Sequence, residues 1–290
     1  MTEKHAYLII AHGEFDILRS LIDLIDDSRN DIFVHFDKKC TTLPHIEVKK
    51  SNLFILKKRI DVRWADISLV ETEMLLFEFA SSNGKYSYYH LVSGVDMPVK
   101  SQDYIHEFCK LHGGKEFVGY VNTPIDLSMT NRYHLLTRQY RPKNILSKAF
   151  FRVVRWFVEF PLNLIMPSRK IPFEIKKGCN WVSITDDFCR YLVSQKDLIM
   201  KVFSHTKFAD ERFLQSVLWY SPYISNIYNL DSEYDSCLRC IDWNRGNPYV
   251  WKKEDVDSLL ESSALFARKF SEKNMDAVQL IHDKLLCHEA

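Results

Sequence analysis

Tyr7-Leu8-Ile9-Ile10-Ala11, then Phe15–Ile25, then Ile32-Phe33-Val34-His35-Phe36 is the stretch whose reading decides the fold. The first and third pieces are short apolar runs, as expected of strands buried on both faces. The middle piece sets Phe15, Leu18, Leu21, Ile22 and Ile25 along one side of a helix. Working outward, Leu53–Leu56 reads as a third strand and Tyr86–Val92 as a fourth. Between them Ser68–Ala80 reads as a helix with Leu69, Thr72, Leu76 and Phe79 on one side. Ser101 is placed to cap a helix ending near Leu111. This alternation predicts an α/β fold with a mostly parallel central sheet flanked by helices. Such sheets hold ligands beyond the carboxyl ends of their strands.

The rhythm breaks over Thr123–Lys177. Its core, Ala149–Val158, is apolar with interleaved arginines, and Pro161, Pro167 and Pro172 are expected to stop it continuing as one helix. Beyond it, Trp181–Thr185 reads as a strand, and Phe188–Gln195, Glu211–Tyr220 and Val256–Phe270 as helices. There is no internal repeat and no low-complexity tract.

The chain has 290 residues, enough for a sizeable core, and is 46% hydrophobic and 27% charged, a globular balance. The net charge of +1 gives no global attraction to nucleic acid. Charge is unevenly placed, however: Arg138–Lys177 holds ten Lys/Arg against two Glu, a local +8. That segment reads either as a basic, aromatic surface that docks on anionic lipid or as an internal helix with snorkelling arginines. The N-terminus lacks a signal-peptide layout and no run reaches the length of a membrane span. Seven scattered cysteines suggest reduced, buried thiols rather than a disulfide framework. Cys237-Leu-Arg-Cys240 has CxxC spacing without a second ligand pair, too little for a zinc site.

Phe208-Ala-Asp-Glu-Arg-Phe-Leu214 sets two carboxylates before an apolar run of helical spacing. Asp210 and Glu211 at a helix start meet the positive end of its dipole, which favours the ionised form that a general base requires. The alternative is ordinary first-turn acids. His35 and Asp37 share one face of a strand end, where a carboxylate accepts hydrogen bonds from a ribose or base, pairs with the histidine on a metal, or caps the turn before Lys38. Trp64 stands at a strand-to-helix turn, placed either to stack on a planar base or simply to pack, with Asp66 or Ser68 as a cap. In Tyr89–Pro98, Gly94 permits close backbone approach to a ligand, and Asp96 is either a site acid or a turn acid. Arg268 and Lys269 are adjacent cations bracketed by Phe266 and Phe270. Buried cations need an anion, for which a diphosphate is suited; otherwise they snorkel from an amphipathic helix. The sole Asp-x-Asp, Asp255-Val-Asp257, reads as first-turn acids, and no metal ligand set is evident.

Taken together, these motifs resemble the core-2/I-branching β-1,6-N-acetylglucosaminyltransferases and the related peptide O-xylosyltransferases. The likeness runs from Ala6 to Phe270. It is carried by Ala11-His12, His35-Phe-Asp-Lys-Lys39, Val62-Arg-Trp64, Ser93-Gly-Val-Asp-Met-Pro98, Gly178-Cys-Asn-Trp181, Asp210-Glu-Arg-Phe-Leu214, Arg239-Cys-Ile-Asp-Trp243 and Leu265–Phe270.

The resemblance implies a GT-A-type fold over a single domain, 1–290. Within it, 1–122 would be the nucleotide-binding half, 123–177 a basic insertion and 178–290 the acceptor and catalytic half. It implies an inverting transfer, without a metal or other cofactor, from a UDP-sugar donor to a glycan or lipid-linked glycan acceptor. The sugar expected is N-acetylglucosamine, with xylose or another hexose as the alternative. A non-catalytic sugar- or nucleotide-binding component of a polysaccharide assembly is the rival of another class. Glu211 is implied as the base, with Asp210 beside it. Arg268, Lys269 and either Arg239 or Arg245 fall to the phosphates, and Ala11, His12, Asp37, Trp64 and Asp96 to the nucleotide. Trp181 and Trp243 fall to the substrate. Unlike the animal enzymes, the sequence shows no anchor or disulfide framework, so a bacterial-type cytoplasmic member is expected, with peripheral contact to an anionic membrane and none to nucleic acid.

Overall fold

β1 (His5–Ala11) is buried at every residue, and α1 (Phe15–Ile25) turns Ile17, Leu18, Leu21, Ile22 and Ile25 inward against it. β2 (Asn30–Phe36), equally buried, pairs parallel with β1 and with β3 (Asn52–Ile55). α2 (Ser68–Asn83) leads to β4 (Tyr88–Ser93), parallel to β1 on its other side. The computed structural model describes residues 4–139 and 144–286.

β5 (Asp96–Pro98) is followed by α3 (Gln102–Leu111), whose first turn donates the Tyr104 amide to the Ser101 hydroxyl. Then come α4 (Ser128–Asn131) and α5 (Ile145–Ile165). β6 (Ser183–Thr185) lies antiparallel to β4 and completes a sheet of order β3-β2-β1-β4-β6. α6 (Asp186–Ser194), α7 (Lys196–Phe203), α8 (Phe213–Trp219) and α9 (Glu233–Cys237) follow. β7 (Arg239–Ile241), α10 (Val256–Glu261), β8 (Phe266–Arg268) and α11 (Met275–Leu286) complete the described chain. β8 is the centre of a second sheet, antiparallel to β5 and parallel to β7.

Successive residues of the long strands feed opposite cores, as the two-residue strand period requires. Leu8, Phe33 and Leu91 pack with Met74, Phe77, Phe188 and Leu214. Tyr7, Ile9, Val34 and Val92 pack with Leu18, Ile105, Phe266 and Ile281. The mixed α/β architecture with a mostly parallel, helix-flanked sheet is therefore the one expected.

Three elements differ from expectation. Val256–Phe270 is not one helix. α10 ends at Glu261, Ser262 is extended, and Ala264–Ala267 are buried as the run into β8. A short continuous apolar run does not by itself distinguish a buried strand from a helix, and here the neighbours β5 and β7 decide. Glu211 does not open a helix either, because Ala209–Glu211 is a separate 3₁₀ turn before α8. Pro161 does not end α5, which runs on to Ile165. Pro161 and Phe157, whose carbonyl loses its partner, are both exposed, so the missing hydrogen bond falls on the solvent side of the helix. Four residues of the basic stretch, 140–143, lie outside the described residues.

Candidate active site

At the carboxyl ends of β1, β2 and β4 the backbone converges closely. The Asp37 amide donates to the Ala11 carbonyl at 2.8 Å, and the Gly94 amide to that of Ile10 at 2.9 Å. A Cβ on Gly94 would stand 3.1 Å from that of Ala11, so the close approach expected there is between strand ends and not to a ligand. Asp37 is buried, accepts the Lys39 amide at 2.8 Å and pairs with its ammonium at 2.6 Å. His35 spends Nε2 on the Ile60 amide at 2.9 Å, and burial pushes its imidazole down to about 4. It is thus committed to the interior rather than to a metal shared with Asp37.

β8 delivers the two cations. Asp96 and Arg268 are register partners across β5 and β8, and Arg268 Nη1 meets Asp96 Oδ1 at 2.7 Å. Asp96 also accepts the Ser93 amide and hydroxyl, each at 2.7 Å. On its other side the guanidinium lies 4.6 Å from the centre of the Trp181 ring. Asp96 therefore holds Arg268 in place rather than facing a nucleotide directly. Lys269, half-buried, has no side-chain hydrogen bond or ion pair among the described residues. His12 is held below the ordinary histidine value by desolvation first, with Asp37 opposing and Arg268, Lys39 and Lys269 adding. These five groups share one electrostatic neighbourhood with cations in excess, which a bound anion would neutralise.

The acidic segment lies at the other end. Asp210 was expected to be ionised at a helix start. Instead burial, then the charge of Glu211, raises it to about 7. Desolvation outweighs any dipole benefit because Asp210 precedes the helix and sits half-buried beside Glu211. Beneath it, Glu73 of α2 is fully buried and pushed well above the carboxylate range by that burial, then by Asp210, with Asn180 easing it. Glu211 points into a pocket of about 450 Å³ with Lys177, Phe208, Arg212 and Asp126. Its Oε2 is 3.2 Å from Lys177 Nζ. Trp64 is 45% exposed and meets Phe208 edge-on at 4.8 Å, while the Phe208 amide donates to the Ala65 carbonyl at 3.4 Å.

One short segment joins the two ends. The Gly178 amide donates to the Glu211 carbonyl at 3.0 Å, and three residues later Trp181 stacks on Arg268. Three extended residues span at most about 10 Å. Gly178 is required there, since a Cβ would fall 1.8 Å from the Gly119 carbonyl oxygen. Among the described residues, the four non-glycine positions with positive φ are Glu14, Ala65, Phe208 and Leu238. Each borders one of the motifs read from the sequence, where backbone strain tends to collect.

The remaining candidates are not gathered into this arrangement. Arg239 is buried and donates to the carbonyls of Cys237 and Val182 and to the Ser183 hydroxyl, which also contacts the buried His90. Arg245 is paired with Asp242 at 2.5 Å and Asp255 at 2.8 Å on the surface. Trp243 is 52% exposed beside Tyr234. Sequence reasoning missed Glu73 and Lys177. Glu73 stands at an ordinary helical position, and its burial depends on the loop laid over it; Lys177 was only one of ten cations in a basic run. Among the described residues the one grouping of three metal-ligating side chains, His5, His90 and Cys109, is wholly buried and begins six residues back along β1 from Ala11, about 20 Å away.

The fold and this site define an α/β protein with adjacent cations, Arg268 and Lys269, on one strand and a cluster of acids, Glu73, Asp210 and Glu211, linked to it by the Gly178–Trp181 segment. Residues 5–261 match the family model described as Core-2/I-Branching enzyme, and the chain belongs to that family. It is 23% identical to the Drosophila melanogaster protein named xylosyltransferase oxt, over 86% of this chain and 29% of that one. It is 21% identical to a mouse N-acetyllactosaminide β-1,6-N-acetylglucosaminyl-transferase, over 91% of this chain and 68% of that one. The chain thus spans less than a third of the Drosophila protein. The solved mouse xyloside xylosyltransferase 1, in its apo form, aligns at a TM-score of 0.36 and 9% identity, covering 91% of this chain and 97% of that chain. At that likeness the family assignment rests on the sequence match.

Proposed function

We propose that this chain transfers a sugar from a UDP-sugar to a hydroxyl of a glycan or lipid-linked glycan, inverting the anomeric centre without a metal ion. The observation that carries this reading is the Gly178–Trp181 segment, which hydrogen-bonds the Glu211 backbone at one end and stacks Trp181 on Arg268 at the other, so that one short stretch of chain touches both the acid and the cation. Glu211 takes the proton from the acceptor hydroxyl as that oxygen attacks the anomeric carbon. The bond from that carbon to the diphosphate breaks, and UDP leaves from the opposite face with the electron pair, giving a β-linkage. Arg268, oriented by Asp96 and Trp181, and Lys269 stabilise the charge that develops on the diphosphate without reorganising. Asp37 and His12 line the nucleotide side, the pocket beside Lys177 takes the acceptor, and Trp64, edge-on to Phe208 of that pocket, stands between donor and acceptor.

N-acetylglucosamine is the sugar we assign, in keeping with the mouse relative's name; the Drosophila relative's name favours xylose as the second reading. Thermal stability with UDP, GDP, CDP and each UDP-sugar, with EDTA or with Mg²⁺ or Mn²⁺, tests the whole reading. A ligand at about 100 times its Kd adds roughly 2.7 kcal/mol of apparent stability. UDP-specific stabilisation that persists in EDTA is expected, with UDP-N-acetylglucosamine ranking first. A response that requires metal, or none to UDP, defeats it.

A further inference from the structure

α5 is built inside out. Its polar side chains face the protein: Glu159 accepts the Leu135 and Leu136 amides, both at 3.1 Å, and Asn163 exchanges hydrogen bonds with the Tyr133 backbone at 2.9 and 3.1 Å. Its apolar side chains face out. Leu146, Phe150, Val153, Phe157, Phe160 and Leu164 follow one another at steps of four and three residues, and each is between 53% and 83% exposed. That spacing makes a single stripe along a helix about 32 Å long. No residue of α5 belongs to either hydrophobic core among the described residues. The internal-helix reading of this segment is therefore not the one realised.

A cationic pocket of about 630 Å³ opens beside the stripe, next to Trp156 and Phe160. Arg132, Arg152, Arg155 and Lys207 surround it, with Glu159 as its one carboxylate. Lys207 lies 3.9 Å from Glu159 and is held below the ordinary lysine value by desolvation, with Arg155 adding and Glu159 opposing. The next residue, Phe208, lines the pocket of Glu211.

We propose that α5 docks the protein on a membrane surface carrying anionic phospholipid, with the aromatic stripe in the headgroup–acyl boundary and a lipid phosphate in the Arg132/Arg152/Arg155/Lys207 pocket. Aromatic residues on one face and cations beside them are the make-up of an interfacial helix. No described helix is long and apolar enough to cross a membrane, so α5 lies on the surface rather than through it. Stripe-to-stripe pairing of two copies would instead bring two segments of +8 together, which like charge opposes. The docking does not depend on the transfer reaction, and it brings the Glu211 pocket beside the bilayer.

Co-sedimentation of the full chain with vesicles of phosphatidylcholine alone, and of equal parts phosphatidylcholine and phosphatidylglycerol, tests this. Binding is expected only to the mixed vesicles and should weaken with salt. Arg152→Ala should weaken it about fivefold, and Phe157→Ser about tenfold or more. Thermal melts check that both variants fold, and their exposed positions leave the fold intact. Equal binding to neutral vesicles, no binding to mixed ones, or unchanged partition of Phe157→Ser overturns the proposal. So does inorganic phosphate that binds as tightly as the vesicles, or a dimer that Phe157→Ser abolishes while lipid binding is absent.

Discussion

At β8 a buried charge is met at once by its opposite: Arg268 sits 2.7 Å from Asp96, which two Ser93 hydrogen bonds also hold. At the turn before α8 the reverse arrangement prevails. Glu73 is fully buried and Asp210 half-buried beside it, and neither has an ion-pair partner among the described residues. A compensated pair stays charged and fixes geometry. An uncompensated acid escapes the cost of burial by keeping its proton. One end of the site is therefore a fixed ion pair, and the other sets two acids of raised pKa behind the half-buried Glu211.

The largest effect should come from separating Glu211 from the acids behind it. Glu211→Gln should lower transfer about 10²–10⁴-fold and leave UDP binding nearly unchanged, as read by single-turnover kinetics and UDP titration. Near-normal turnover would move the base elsewhere.

At the cation end, Arg268→Ala strands Asp96 in the interior and should cost about 3 kcal/mol or more of stability. Lys269→Ala, whose side chain has no ion-pair partner among the described residues, should leave denaturant unfolding unchanged and weaken only UDP binding. Equal destabilisation by the two variants would dissolve the distinction between an oriented and an unpartnered cation.

The most diagnostic effect is in pH. Asp210 titrates higher in the folded chain, at about 7, than a free aspartate does. Its raised value contributes stability that is fully present below the unfolded value and is lost as pH rises through the folded one. Asp210→Asn should gain on the wild type from about pH 4 to pH 7 and then level off, with a slope no steeper than about 1.4 kcal/mol per pH unit, the limit for one proton. Denaturant midpoints across that range give the comparison. A gap that does not change with pH would mean that Asp210 is not buried as a neutral acid.

Much of this was legible in the chain. The runs at Tyr7–Ala11 and Ile32–Phe36 and the stripe at Phe15–Ile25 name their own structures, because the period of burial is written in adjacent residues. Ala264–Ala267 was misread because a short apolar run carries no period; only β5 and β7 make it a strand. The motif residues Arg268, Lys269 and Glu211 could be named in advance, but not what holds them.

What the sequence determined by itself is the α/β alternation and the family, since these follow from local pattern and motif order. Tertiary structure decided the rest. It spent Asp96 on Arg268, set Glu73 under Asp210, consumed Arg239 on interior carbonyls and turned the apolar face of α5 outward. Charge state and exposure depend on which distant groups enclose a side chain, and no local pattern carries that information.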